Sequence, residues 1–256
     1  MKQEYDFPVV LQDIFIETSH SPMREVHKRK AVVRQDTGEV LSIVSDKYKL
    51  LPHKVVVESF RSAIPYDFKE TIKLTNGGAK MFVIYKVPSV KFDVGRDDSY
   101  CLQFIVKNSY DGTNALQIVF GAFRFVCENG MFIGQKFFSY TQKHIGSVQI
   151  DHNALTDSIA SMTSQFKETL PILQNMSDRD MERDVDEIFG SSKALNLPAY
   201  LVKEAQVEYE RAGNTSVLGF YNSLTKAITH NMRKDSPQVR LSYGQVAWGL
   251  AKGQLK

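Results

Sequence analysis

The chain has 256 residues, of which 43% are hydrophobic and 24% charged, with a formal net charge of +3. That is enough apolar material for one sizeable core, or for a core with a helical appendage. Two cysteines, Cys101 and Cys127, are too few for a secreted disulfide framework and fall short of the four ligands of a structural zinc site, so a reducing cytosol is the expected compartment. The opening MKQEYDFPVVLQDIF lacks a basic region followed by an apolar core and a small-residue cleavage site. No apolar run reaches the ~18 residues of a membrane span, and neither export by that route nor membrane insertion is expected.

In chain order, residues 9–16, 30–35, 39–45, 71–75, 80–87, 100–107 and 115–126 are short runs rich in β-branched and aromatic residues between turn formers, and they are predicted strands. Asp36-Thr37-Gly38, Asn76-Gly77-Gly78 and Asp111-Gly112 tolerate positive φ and predict three hairpins. Between the first and second, LPHKVVVESFRSAI sets Val56, Phe60 and Ile64 four residues apart, which predicts a short helix starting after Pro52. Beyond about residue 150 the period changes. Leu155, Ile159, Met162, Phe166, Leu170 and Leu173 form a single apolar stripe, Asp151 is placed to cap its start, and Pro171 is expected to bend or end the helix near residue 170. Further helices are predicted at 178–189, 198–211, 216–233 and 242–252, with NMRKDSPQ (231–238) as an exposed loop. The pattern predicts an α+β fold. A β-rich domain, residues 1–148, carries a twisted and mainly antiparallel sheet of hairpins with one short helix, and a helical region, 149–256, packs on it or extends it.

The stretch KNSYDGTNALQIVFGAFRFVCENGMFIG, 107–134, is the densest in turn formers and candidate functional side chains. Arg124, set among phenylalanines, either pairs with an acid such as Asp111 or Glu128 or offers a guanidinium to a phosphate or a base. Cys127 would be a nucleophile only if His144 and Asp111 or Asn129 converged on it, and a packed thiol is the expected role. Asn108, Ser109 and Asp111 are expected to hold the turn through their side chains, and Asn129-Gly130 to make the next one. The six histidines show no paired spacing, and neither a metal site nor a phosphate loop is expected; no cofactor and no catalytic residue is assigned. DRDMERDVDE, 178–187, reads as a solvated face with local ion pairs.

The strongest basic cluster is MREVHKRKAVVRQ, 23–35, with Arg24, His27, Lys28, Arg29, Lys30 and Arg34. It is either a charged edge strand or a strip that tracks phosphates. If Lys47, Lys49, Lys107 and Lys136 share its face, and Tyr48, Tyr110 or Phe138 offers stacking, the ingredients of a single-strand groove are present. The residues expected to bind nucleic acid are Lys28, Arg29, Lys30, Arg34, Lys107, Tyr110, Arg124 and Lys136.

NSYDGTNALQIVFGAFRFVCENGM resembles the signature of the domain of unknown function 932 family, in which an Asn-Ser-x-Asp-Gly turn and an apolar strand lead into Arg-x-Val-Cys-x-Asn-Gly. The matching positions are Asn108, Ser109, Asp111, Gly112, Arg124, Val126, Cys127, Asn129, Gly130 and Met131. SIVSDKYKLLPHKVVVESF, NGGAKMFVIYKVP and the closing YGQVAWGLAKG are similar to other parts of that family. The resemblance implies a phage, prophage or plasmid origin, and so the cytoplasm of a bacterial host, without implying a reaction. The expected function is non-catalytic binding of nucleic acid, most plausibly single-stranded DNA in replication or recombination of a mobile element, with self-assembly into oligomers. The alternatives are a module that binds a host or phage protein to modulate defence or replication, and a cysteine-dependent enzyme.

Overall fold

In the computed structural model the described residues are 4–19, 21–94, 98–124, 129–131, 140–146, 148–182, 184–190, 196–232 and 237–255. Among them two antiparallel sheets and six helices form an α+β fold, with most helices in the C-terminal half. The first sheet has the order β1-β2-β3, from Val9–Thr18, Ser21–Arg34 and Val40–Ser45. The second runs β4-β5-β6-β7-β8, from Lys69–Thr75, Lys80–Val94, Asp98–Ser109, Leu116–Arg124 and Asn129–Met131, and β9, Tyr140–Gln142, pairs with β7. The helices are α1 His53–Ala63, α2 His152–Asp178, α3 Val185–Gly190, α4 Ala199–Ala212, α5 Val217–His230 and α6 Pro237–Gly253.

The chain falls into two compact units. One comprises Met1–Tyr85, Phe104–Val119 and Phe138–Ala160; the other Lys86–Gln103, Phe120–Phe137 and Ser161–Lys256. In the first unit Phe7, Val32, Val44, Tyr48 and Tyr110 form a buried cluster, with Val9, Leu11, Leu41, Leu50 and Leu74 packed against it. Helix α1 buries His53, Val56, Val57, Phe60 and Ala63 on the stripe that its sequence spacing sets out. The Arg61 guanidinium then grips the Glu70 carboxylate as a fork, at 3.0 and 2.6 Å, tying α1 to β4.

In the second unit α5 is buried on nearly every side, from Val217 to Ile228, as expected of a helix that is apolar all round. The Ser216 hydroxyl caps it by accepting the Gly219 N–H at 3.0 Å. Gly213, at φ +63°, ends α4. Trp248 of α6 meets Tyr221 edge to face at 5.5 Å, and Phe189 of α3 meets Phe220 at 5.4 Å.

Four expectations need correction. Asp151 does cap α2, its Oδ1 accepting from Asn153 and Ala154 at 3.0 and 3.1 Å, but of the two effects expected at Pro171 the ending is overturned, since the helix runs on to Asp178. Its apolar stripe goes on to Leu173 and Met176, both wholly buried, and that packing outweighs the hydrogen bond the proline cannot make. The helix predicted at 178–189 shrinks to Val185–Gly190 because the preceding residues bond elsewhere: Met181 N–H donates to the Thr215 carbonyl and Val217 N–H to the Arg179 carbonyl. Helix α6 begins at Pro237, inside the predicted loop, since a proline suits the first turn of a helix. Finally, Asn129 and Gly130 are not a turn. They lie in β8, opposite Arg124 and Phe123.

Candidate functional site

The signature turn after β6 is built on a buried polar knot in the first unit. At the start of α1 the His53 N–H has no partner within the helix, and it donates to the Tyr110 hydroxyl at 2.8 Å. Asn108 Nδ2 donates to the Leu51 carbonyl and to His53 Nδ1, both at 2.9 Å. With Nδ1 accepting, the ring proton is on Nε2, which donates to the Gly78 carbonyl at 3.0 Å. The His53 ring stacks on Tyr110 at 4.0 Å. Burial holds this imidazole neutral, its pKa pushed down to about 4. Asn108 therefore ties the turn to α1 across more than fifty residues instead of bonding locally as expected. Ser109 and Asp111 do bond locally. The Ser109 hydroxyl donates to the Asn114 carbonyl and accepts the Asn114 N–H, both at 3.1 Å, and Asp111 Oδ1 accepts from the Thr113 N–H and hydroxyl at 3.0 and 2.6 Å. Gly112 takes φ +69°. Burial alone would raise the Asp111 carboxyl, but the Thr113 and Ser109 donors and the Lys80 ammonium, 3.3 Å away, hold it below the usual carboxylate range.

This turn forms one wall of an open cleft of about 400 Å³, with Asp111, Gly112, Asn114 and Ala115 on that side. Ile43, Val44, Ser45 and Tyr48 form a second wall, Lys143, His144 and Ile145 a third, and Arg29 stands at the rim. The third wall is fastened by backbone pairing: Tyr48 bridges Ile145, and the Lys49 N–H donates to the His144 carbonyl at 2.9 Å. The Tyr48 ring stacks on His144 at 5.0 Å, and its hydroxyl donates to the Ser109 carbonyl at 2.7 Å. His144 Nδ1 lies 3.1 Å from the Lys49 carbonyl, so Nδ1 carries the proton and Nε2 is left as a bare acceptor. Burial lowers the pKa of this imidazole too. The cleft thus has a fixed aromatic and polar floor, one acid already engaged by Lys80, and exposed cations at its mouth.

The basic cluster of β2 splits into two groups. Lys30 is ion-paired with Asp13. Arg34 forks onto Asp36 at 3.0 and 2.8 Å and lies over the Phe7 ring, its guanidinium carbon 3.9 Å from the centroid. Both of these charges already have an acidic partner within the first sheet. Arg24, Lys28 and Arg29 are exposed, and no ion pair holds them among the described residues. Lys28 and Arg29 sit at an irregularity in the sheet: β1 pairs Asp13 with Lys30 and next Phe15 with Glu25, so four residues of β2 stand against one of β1, while Arg24 lies beyond it, opposite Ile16. Lys28, within that bulge, has φ +64°, a conformation that costs an L-residue roughly 1–2 kcal/mol.

Two other expected contacts are corrected by burial. Lys107 is 2% exposed and Tyr110 1%, and neither offers a surface to a polymer. They lie on or just past β6, whose residues Tyr100 to Ser109 are all buried, since the strand is covered on both faces. Desolvation brings the Lys107 ammonium down to about 8. Only the backbone of Arg124 is described, paired with Asn129, and Cys127, Lys136 and Phe138 lie outside the described residues. Lys143 and Asn114 are cleft residues that the sequence did not single out. A lone lysine after a three-residue strand carries no pattern, and its place follows from the pairing of Tyr48 with Ile145.

Among the described residues no three His, Cys, Asp or Glu side chains gather where they could hold a metal ion, and no helix is long and apolar enough to cross a membrane. No solved structure matches the chain. The profile of the family described as Domain of unknown function (DUF932) matches residues 40–248, which takes in the knot, the cleft apart from Arg29, and most of the second unit, and the chain belongs to that family.

Proposed function

We propose that the protein binds single-stranded nucleic acid without catalysis, namely single-stranded DNA in the replication or recombination of a phage or plasmid. The observation that carries this reading is the division of the basic cluster. Lys30 and Arg34 are paired with acids, whereas Arg24, Lys28 and Arg29 stay exposed, the last two on a bulge, with Arg29 and Lys143 at the mouth of one cleft. Lys47 and Lys49, exposed on the connection that carries Tyr48, extend the same basic surface. Phosphates are the natural ligand for cations left exposed in this way, and a lysine held at positive φ is local strain of the kind that collects at binding sites.

For single strands each phosphate contact contributes about 0.7 to the slope of log K against log salt. Four contacts, from Arg24, Lys28, Arg29 and Lys143, give a slope near −3, and so roughly a 50-fold loss of affinity between 50 and 200 mM salt. The test is a titration of a labelled oligonucleotide at those two salts. Combined replacement of Lys28, Arg29 and Lys143 by Ala is expected to flatten the slope by about 2. An unchanged slope overturns the assignment of these three side chains.

A further inference from the structure

We propose that the outer part of strands β1 and β2, residues 15–19 and 21–25, is the base-contacting element of this protein: a two-stranded ribbon on which the bases of a single strand stack against Phe15 and Met23 while the cations at its root hold the phosphates. The inference rests on the nucleic-acid reading above. Strand β3 pairs with β2 only between Arg29 and Val33, so beyond Arg29 the sheet narrows to β1 and β2. There Phe15 is 56% exposed, Ile16 52% and Met23 63%. Consecutive residues of a strand point to opposite faces, and exposure of both Phe15 and Ile16 means that the ribbon lays neither face on a core. A two-stranded ribbon is marginal in water, and large apolar side chains on an uncovered edge strand are normally avoided. Their presence calls for an occupant.

The register identifies that occupant. Phe15 is opposite Glu25 and Ile16 opposite Arg24, and Met23 follows Arg24 where the register shifts again, between Ile16 and Thr18. Glu25, paired directly with Phe15, shares its face. An aromatic and a thioether near an acid suit bases and repel phosphates. Cations occupy the other positions: Arg24 opposite Ile16 on the reverse face, and Lys28 and Arg29 in the bulge at the root, next to the basic mouth of the cleft. Cations set beside exposed apolar side chains are complementary to a strand whose bases and phosphates point different ways.

The test uses the full chain and a thymidine-rich oligonucleotide carrying 2-aminopurine. Wild type is expected to change the 2-aminopurine fluorescence on binding and to prefer the single strand to a duplex of the same length. Phe15→Ala/Met23→Ala, at exposed positions and with an unchanged circular dichroism spectrum, is expected to bind about tenfold more weakly with the same salt slope. Phe15→Tyr, which keeps the aromatic face, is expected to retain affinity. Unchanged affinity in the double variant, or equal binding of duplex by wild type, overturns the ribbon assignment while the phosphate reading stands. A double variant that loses self-association in sedimentation yet binds as wild type also overturns it, because a second copy then covers the ribbon. Wild type that binds no nucleic acid at low salt removes the underlying reading itself.

Discussion

Gly78 and Gly112 flank the buried knot and provide a paired perturbation whose two costs differ for a stated reason. Both have positive φ, +97° and +69°, so alanine at either position takes on the left-handed penalty of roughly 1–2 kcal/mol, partly offset by the smaller entropy of the unfolded chain. At Gly112 a Cβ would meet Val44 at 3.8 Å and Tyr48 at 4.0 Å, ordinary contacts. The net cost of Gly112→Ala is therefore about 1 kcal/mol. At Gly78 the Cβ would stand 2.7 Å from Cζ of Phe7. That ring cannot step aside, since it is 7% exposed and lies edge-on to both His53 and Tyr110 at 6.1 Å. Overpacking adds roughly 1–3 kcal/mol, and Gly78→Ala is expected to cost about 3 kcal/mol in all. For a protein of this size 1 kcal/mol moves Tm by about 2–4 °C, so thermal scans should place Gly112→Ala about 3 °C below wild type and Gly78→Ala nearer 10 °C below. Gly112→Asn should recover part of the loss, because asparagine tolerates this conformation. If Gly78→Ala is no worse than Gly112→Ala, the packing of Phe7 against the turn is wrong.

Three further outcomes follow from particular side chains. His53 is neutral in the folded chain with its pKa lowered from 6.5 to about 4, so its contribution to stability is full above pH 6.5 and is lost as the pH falls toward 4, by on the order of 3 kcal/mol; His144, shifted the same way, adds to the loss. Ring nitrogen shifts in NMR should show His53 uncharged at pH 5.5, and a protonated ring there refutes the knot. Lys28→Gly removes the strained conformation along with the charge, so denaturant midpoints should hold or rise, by up to about 1 kcal/mol, while oligonucleotide affinity falls; a fall in both separates Lys28 from phosphate binding. Lys107→Met should leave oligonucleotide affinity and salt slope unchanged, since the ammonium is buried, and a reduced slope would return Lys107 to the binding surface.

The fold was legible wherever one face of an element is buried. The helical stripe from Leu155 to Leu173, the cap at Asp151 and the glycine-bearing turns all follow from local rules of burial and φ. What escaped has no local signature. Residues 23–29 of β2 read only as a charged edge strand or a phosphate-tracking strip, without the alternation that marks a strand, because the ribbon is exposed on both faces. Lysine is almost never buried, so Lys107 was placed outside, yet β6 is covered on both faces and carries Gln103, Lys107, Asn108 and Ser109 inward as well. The roles of His53 and Lys143 depend on partners far along the chain, Asn108 for the first and the Tyr48–Ile145 bridge for the second. Of the candidate site, the basic cluster was visible as composition. Its division into structural and exposed cations was not, because Asp13 becomes the partner of Lys30 only once the register of the sheet is set, and Asp36 that of Arg34 only once the turn after β2 forms.

The most direct test of the central claim is a binding titration of the purified chain against single-stranded and duplex oligonucleotides at 50 and 200 mM salt. Preferential binding of the single strand, falling roughly 50-fold between the two salts and far less steeply when Lys28, Arg29 and Lys143 are replaced by Ala, is the result this account expects. No measurable affinity for any oligonucleotide at 50 mM salt, where phosphate contacts are strong, would contradict it.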